Sequence, residues 1–291
     1  FIINQPDDIH VLEIMGEIFI SENRFPEAID TYNRIMLIYP EKLETNLALA
    51  ESYYKLKELE NAINVYQNIL LFNEENYDVM IRMGNIYNEI GEYKEAENIL
   101  NKAIDCTTPT MKMYYQLALT YGNQGKYMST VLAFQEALKL KSDDVEIKYQ
   151  LGIAYMELYN YNVAAQYFEE YIALNNQDEI AFFFLGKCYH EIGDYAAAIL
   201  ALQRANAISP DDHRILYYIG KSYSGLGEES DAALTFRKAL KINPEDPEIY
   251  FELGKSYYKL NKNKKVTETL DILDMLDRSL YDQLYLEVHR R

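Results

Sequence analysis

The sequence predicts an all-α fold, a solenoid of antiparallel helix pairs laid end to end, and two observations carry that expectation. The first is local. Between His213 and Asp246, Leu216, Ile219 and Tyr223 fall on one face of a helix and Ala232, Phe236 and Ala239 on one face of a second, while Gly225 and Gly227 interrupt the pattern between them. Pro244 closes the stretch, since its ring cannot continue the helix before it. The second observation is that the stretch recurs. A spacing of 34 residues either way from His213 gives blocks 9–42, 43–76, 77–110, 111–144, 145–178, 179–212, 213–246 and 247–280, without one insertion.

Aligned in this way, three columns each hold one kind of residue. Position 8 reads Gly16, Ala50, Gly84, Ala118, Gly152, Gly186, Gly220 and Gly254, small residues where a neighbouring helix must come close. Position 11 is Phe19 and then tyrosine in every later block, from Tyr53 to Tyr257. Position 20 is alanine except for Thr130 and Val266. Small, aromatic and proline residues at these offsets resemble the tetratricopeptide repeat, a 34-residue helix–turn–helix unit. The resemblance implies a right-handed superhelix of antiparallel helix pairs, with the first helix of each unit lining a concave face and positions 2, 5, 6, 9, 12 and 13 meeting a ligand.

Repeats also change what length means. A stack whose units touch only their neighbours has no single core, so 291 residues measure repeat number rather than domain count. Residues 1–8 are a lead-in whose apolar Phe1-Ile2-Ile3 reads as the end of an upstream helix, and residues 281–291 read as a segment covering the exposed last unit. Position 15 carries Asn23, Gly91, Gly125, Gly193, Gly227 and Asn261, types that tolerate the left-handed backbone ending a helix. Lys57 and Tyr159 break that column, so the second and fifth turns are expected to be built differently. Tyr171 stands at position 27, where Ala103, Ala137, Ala205 and Ala239 allow close packing, and predicts a local widening after the fifth unit.

A net charge of −18 repels phosphate backbones and anionic headgroups, which argues against nucleic acid and membrane as main ligands. No apolar run is long enough to span a bilayer. Cys106 and Cys188 are too few for a disulfide framework and read as reduced, mostly buried thiols; the expected compartment is the cytoplasm, with a periplasmic or other exported location left open. His10, His190, His213 and His289 are scattered, no paired metal-ligand spacing or phosphate loop occurs, and the acidic pairs before helices read as caps. The chain is therefore expected to be non-catalytic, with no cofactor and no metal.

Binding is expected on the first helices. Position 9 runs Glu17, Glu51, Asn85, Leu119, Ile153, Lys187, Lys221, Lys255, a gradient from acidic through apolar to basic. Position 5 is aromatic over the last five units: Tyr115, Tyr149, Phe183, Tyr217 and Phe251. Same-position residues of stacked helices form ladders, so rings are expected beside three ammonium groups. A contiguous apolar stripe commonly marks a contact site, although rings at position 5 can also shield the seam between units. The face suits a partner protein or peptide with acidic and apolar side chains. Chaperone-binding members of the family clamp a terminal carboxylate with Lys and Asn, but Glu248 and Glu252 stand where basic clamp residues belong, so that ligand does not carry over. Two other readings stay open: an arm of a longer enzyme, and an assembly component that self-associates by its ends.

Overall fold

A computed structural model describes residues 8–289; the Phe1-Ile2-Ile3 run and residues 290–291 lie outside them. Among the described residues every regular element is a helix. The chain divides into two compact units, Phe1–Ser142 and Asp143–Arg291. The first holds α1 (Ile9–Ser21), α2 (Phe25–Met36), α3 (Leu43–Lys55), α4 (Leu59–Phe72), α5 (Tyr77–Ile90), α6 (Tyr93–Cys106), α7 (Met111–Asn123) and α8 (Tyr127–Leu140). The second holds α9 (Val145–Glu157), α10 (Tyr161–Ile172), α11 (Glu179–Ile192), α12 (Tyr195–Ile208), α13 (His213–Gly225), α14 (Glu229–Ile242), α15 (Pro247–Lys259), α16 (Asn263–Leu276) and α17 (Arg278–His289). Odd-numbered helices up to α15 begin on the first residue of a 34-residue block, and within each unit every helix packs on the next. No described helix is long and apolar enough to cross a membrane.

Most first helices of the pairs start on acidic or amide caps. Asp8, Asn76, Asp144, Asp178, Asp212 and Asp246 each accept a backbone N–H of the first turn that follows, which satisfies a donor the helix cannot. The turns inside the pairs share one construction. In each, the residue at position 15 has positive φ, its N–H donates to the carbonyl at position 12, and the next N–H donates to position 11, as in Gly193 to His190 (3.0 Å) and Asp194 to Tyr189 (2.9 Å). That is the Schellman arrangement. The expectation of different second and fifth turns is corrected: Lys57 (φ 62°) and Tyr159 (φ 57°) take the same left-handed backbone, with Tyr159 to Met156 at 2.9 Å and Asn160 to Tyr155 at 2.9 Å. The two hydrogen bonds and the packing of both helices impose the conformation on side chains that disfavour it.

Position 8 is where the pairs close. A Cβ on Gly16, Gly152 or Gly220 would lie 2.5, 2.9 and 2.5 Å from the ring of Tyr32, Phe168 or Phe236, each a buried residue of the second helix. In the last block the same place over Gly254 is taken by Leu284 of α17, fully buried, whose Cδ2 would lie 2.4 Å from a Cβ there. The helix that covers the end begins at Arg278, three residues before the segment expected from the sequence. Leu284 is buried and Val288 half-buried, but Leu286 faces solvent.

Tyr171 is held by two contacts, one to α9 and one to the cap of α11. Its ring is half-buried against Tyr149, 4.8 Å between centroids, and its hydroxyl donates to Asp178 Oδ2 at 2.9 Å while Oδ1 of the same carboxylate caps α11. The expected widening is not needed to place it.

Left-handed backbone costs an ordinary L-residue roughly 1–2 kcal/mol that glycine escapes. Tyr159 is 80% exposed, so its ring returns little. Tyr159→Gly should therefore stabilise the chain by about 1 kcal/mol in urea unfolding. An unchanged or lowered midpoint would show that the edge contact of Tyr159 with Tyr161 outweighs the strain.

Candidate functional site

In the second unit each position-9 lysine folds back over the position-5 ring one helical turn before it, the spacing that brings side chains together on a helix. Lys187 lies 5.9 Å from the Phe183 centroid, Lys221 5.4 Å from Tyr217 and Lys255 5.2 Å from Phe251. Position 6, one of the positions implied to meet a ligand, adds Phe184 and Tyr218. Tyr218 meets Phe183 edge to face at 5.6 Å and Tyr217 at 5.5 Å, and Phe184 joins Phe183 (5.9 Å) to Tyr149 (6.4 Å). Tyr149, Phe184, Phe183, Tyr218 and Tyr217 thus form one continuous run of half-buried rings along α9, α11 and α13. Tyr149 and Tyr217 also lean on the core rings Phe168 (5.8 Å) and Phe236 (6.2 Å), so part of each ring serves packing.

The other expected residues stand apart. Phe251 contacts Lys255, but Lys255 is ion-paired with Glu252 at 3.1 Å, and the charge expected at this rung is neutralised within α15. Tyr115 belongs to the first unit, where its ring meets Phe134 at 5.6 Å. In that unit several charges on or beside the first helices are paired: Glu13 with Lys42, Glu51 with Arg82 (3.3 Å) and Lys55 (3.5 Å), Glu89 with Lys57 (2.6 Å). Lys187 and Lys221 make no ion pair among the described residues. A hollow of about 750 Å³ between α4, α5 and α6, lined by Leu70, Leu71, Met83, Tyr87 and Ile99 among others, carries none of the singled-out residues.

Column 12 contributes His190. Its Nδ1 is 3.0 Å from Ser222 Oγ at position 10 of the next block, a rung that Asn88 and Thr120 repeat in the first unit at 2.9 Å. Burial, then the charge of Lys221, lowers the His190 pKa. Burial is also the main reason the phenols stay neutral: Tyr149, helped by Asp178 and Glu146, is pushed up to about 12, and Tyr217, helped by Glu252 and Glu248, further still. The thiol of Cys188 is likewise buried and pushed up to about 12.

Family models described as tetratricopeptide repeat match residues 57–117, 115–179 and 149–213, and one described as TPR repeat matches residues 226–261. The chain is a tetratricopeptide repeat protein. Similar solved TPR structures include the C-terminal part of a repeat-containing protein from Cytophaga hutchinsonii, with 16% identity and a TM-score of 0.67 over 83% of this chain and 98% of that one. A tetratricopeptide repeat protein from Parabacteroides merdae has 20% identity and a TM-score of 0.61 over 85% of this chain and 98% of the other. YrrB, described as a TPR protein with an unusual peptide-binding site, has 21% identity and a TM-score of 0.56 over 63% of this chain and 94% of its own. No curated protein matches. At these identities the likeness shows the TPR fold.

Tyrosines make the second unit sensitive to alkali. Tyr149, Tyr171 and Tyr189 are each held at about 12, burial first, against about 10 when unfolded. Because the folded value is the higher, their stabilising contribution is complete below pH about 10 and is lost as pH rises through about 12. Helix content and phenolate absorbance followed together from pH 9 to 12.5 should show late-titrating phenols ionising with the loss of helix. Complete ionisation of every tyrosine near pH 10 with the helices intact would contradict this.

Proposed function

We propose that the chain is a protein-interaction scaffold whose first-helix face on α11 and α13 holds a partner segment with acidic and apolar side chains. The observation that carries the reading is the pair Lys187 and Lys221, unneutralised among the described residues of a −18 chain and lying over a continuous run of rings. Rings supply apolar contact with little conformational entropy to lose, and the ammonium groups orient an anionic partner and speed its approach. That YrrB is described as having a peptide-binding site on the same fold supports the reading.

A displayed library of random peptides selected on the full chain should enrich sequences combining Asp or Glu with Leu, Ile or Phe. Aromatic anchors at interface centres contribute about 2 kcal/mol or more each. Phe183→Ala with Tyr217→Ala should therefore abolish capture of the selected peptides, with helix content unchanged by circular dichroism. The reading fails if the library enriches nothing. It also fails if capture survives the double change and falls instead with Leu200→Ala and Leu234→Ala, exposed positions on second helices.

A further inference from the structure

We propose that the Tyr218 ring is the floor of an anion subsite, walled by Lys187, Lys221 and the imidazole of His190, that takes a side-chain carboxylate of an acidic partner segment. The inference rests on the reading that the α11 and α13 face binds such a segment.

Three nitrogen-bearing side chains converge on this one ring. Lys187 reaches over from α11 to place Nζ 5.3 Å from the Tyr218 centroid, Lys221 of α13 lies 5.4 Å from it, and the His190 ring stands edge to face with it at 5.9 Å. Contact with a ring holds an ammonium group in place without neutralising it, and two like charges at one ring repel. An anion held by both ammonium groups removes the repulsion.

The state of His190 follows from hydrogen-bond bookkeeping. Ser222 Oγ gives its single proton to the carbonyl of Tyr218 at 2.8 Å, so the 3.0 Å contact with His190 must be donated by Nδ1–H. The neutral ring is left with Nε2 as a bare acceptor, and Nε2 has no partner among the described residues. Around the imidazole stand Glu191 of α11, Tyr195 of α12 at 5.4 Å, Tyr218, Lys221 and Ser222 of α13, and Glu252 of α15, while Lys187 meets the shared Tyr218 ring. Burial and Lys221 disfavour protonation; Glu191 and Glu252 oppose them more weakly. An arriving carboxylate offsets Lys221 and draws a proton onto Nε2, converting an acceptor that repels the anion into a charged donor that binds it. Binding therefore takes up a proton, and affinity rises as pH falls.

The probe is a fluorescein-labelled peptide, Glu-Leu-Glu-Phe-Glu-Leu, compared with its Gln-for-Glu counterpart and with a version carrying phosphoserine in place of the central Glu. Anisotropy is read with the full chain at pH 5.5, 6.5 and 7.5, where glutamates with an ordinary pKa of about 4.3 stay ionised. The Glu peptide should bind about five-fold more tightly at pH 5.5 than at 7.5, as uptake of one proton allows. His190→Asn, whose amide can donate to Ser222 as Asn88 donates to Thr120, should bind as the parent does at pH 7.5 and lose the pH dependence, which a purely structural rung would not produce. Lys187→Gln and Lys221→Gln should each weaken binding about ten-fold, and the Gln peptide should not bind. Affinity independent of pH, or a pH dependence that survives His190→Asn, overturns the subsite. So does tighter binding of the phosphoserine peptide without proton uptake, which makes the site one for phosphoryl groups. If Phe183→Ala with Tyr217→Ala loses the Glu peptide while the lysine and histidine variants keep it, the subsite falls and the wider face stands. If the parent chain binds none of the peptides, both fall.

Discussion

A small residue at position 8 of the first helix, glycine in every block but the second and fourth, lets a large side chain come down onto it, and that close seating sets the geometry of the pairs. Gly16 under Tyr32, Gly152 under Phe168 and Gly220 under Phe236 leave no room for a Cβ without movement of a buried ring. With the two helices so close, the turn between them must reverse the chain in a few residues, and the left-handed position 15 with its two hydrogen bonds does so even when the residue is Lys57 or Tyr159. Packing and turn thus determine each other, and both are local. Leu284 reuses the same seat over Gly254, so a single helix can close the last pair without a further block.

Local construction leaves the first-helix face only part of the work of holding the fold, which Tyr149 and Tyr217 share by packing on Phe168 and Phe236. The chemistry of that face varies from block to block while the columns of small and aromatic residues persist. In the first unit the variation ends in ion pairs that satisfy one another, Glu51 with Arg82 and Glu89 with Lys57. Exposed pairs of this kind add little stability, but they leave little charge for a partner. In the second unit Lys187 and Lys221 lie over rings rather than beside carboxylates, which keeps their charge available. Lys255 shows how easily this is lost, because Glu252 one turn earlier on the same helix is enough to neutralise it.

The pairs were legible from sequence because their determinants recur at fixed offsets, and a period repeated down the chain outweighs any single exception. Lys57 and Tyr159 misled because propensity is a weak preference that two hydrogen bonds and packed flanks override. Tyr171 misled for a related reason: a column says where a Cβ starts, not which contacts its ring finds, and Asp178, the cap of α11, offered its hydroxyl a partner. For the face, columns 5 and 9 were enough to bring Phe183, Tyr217, Lys187 and Lys221 together. Tyr218 and His190 lay in columns 6 and 12, and their meaning depends on reach between blocks, which a column read down one position does not contain. The neutralising of Lys255 was within reach, since Glu252 lies three residues away.

The central claim is that the chemistry of this chain is concentrated on one face of α11 and α13, and amide chemical-shift mapping of the isotopically labelled chain with an acidic, apolar peptide tests it most directly. The account predicts shifts confined to Phe183–His190 and Tyr217–Ser222, with α12, α14 and the ion-paired face of α1, α3 and α5 unmoved. Shifts centred on the second helices, or spread evenly over the first helices of both units, would contradict it.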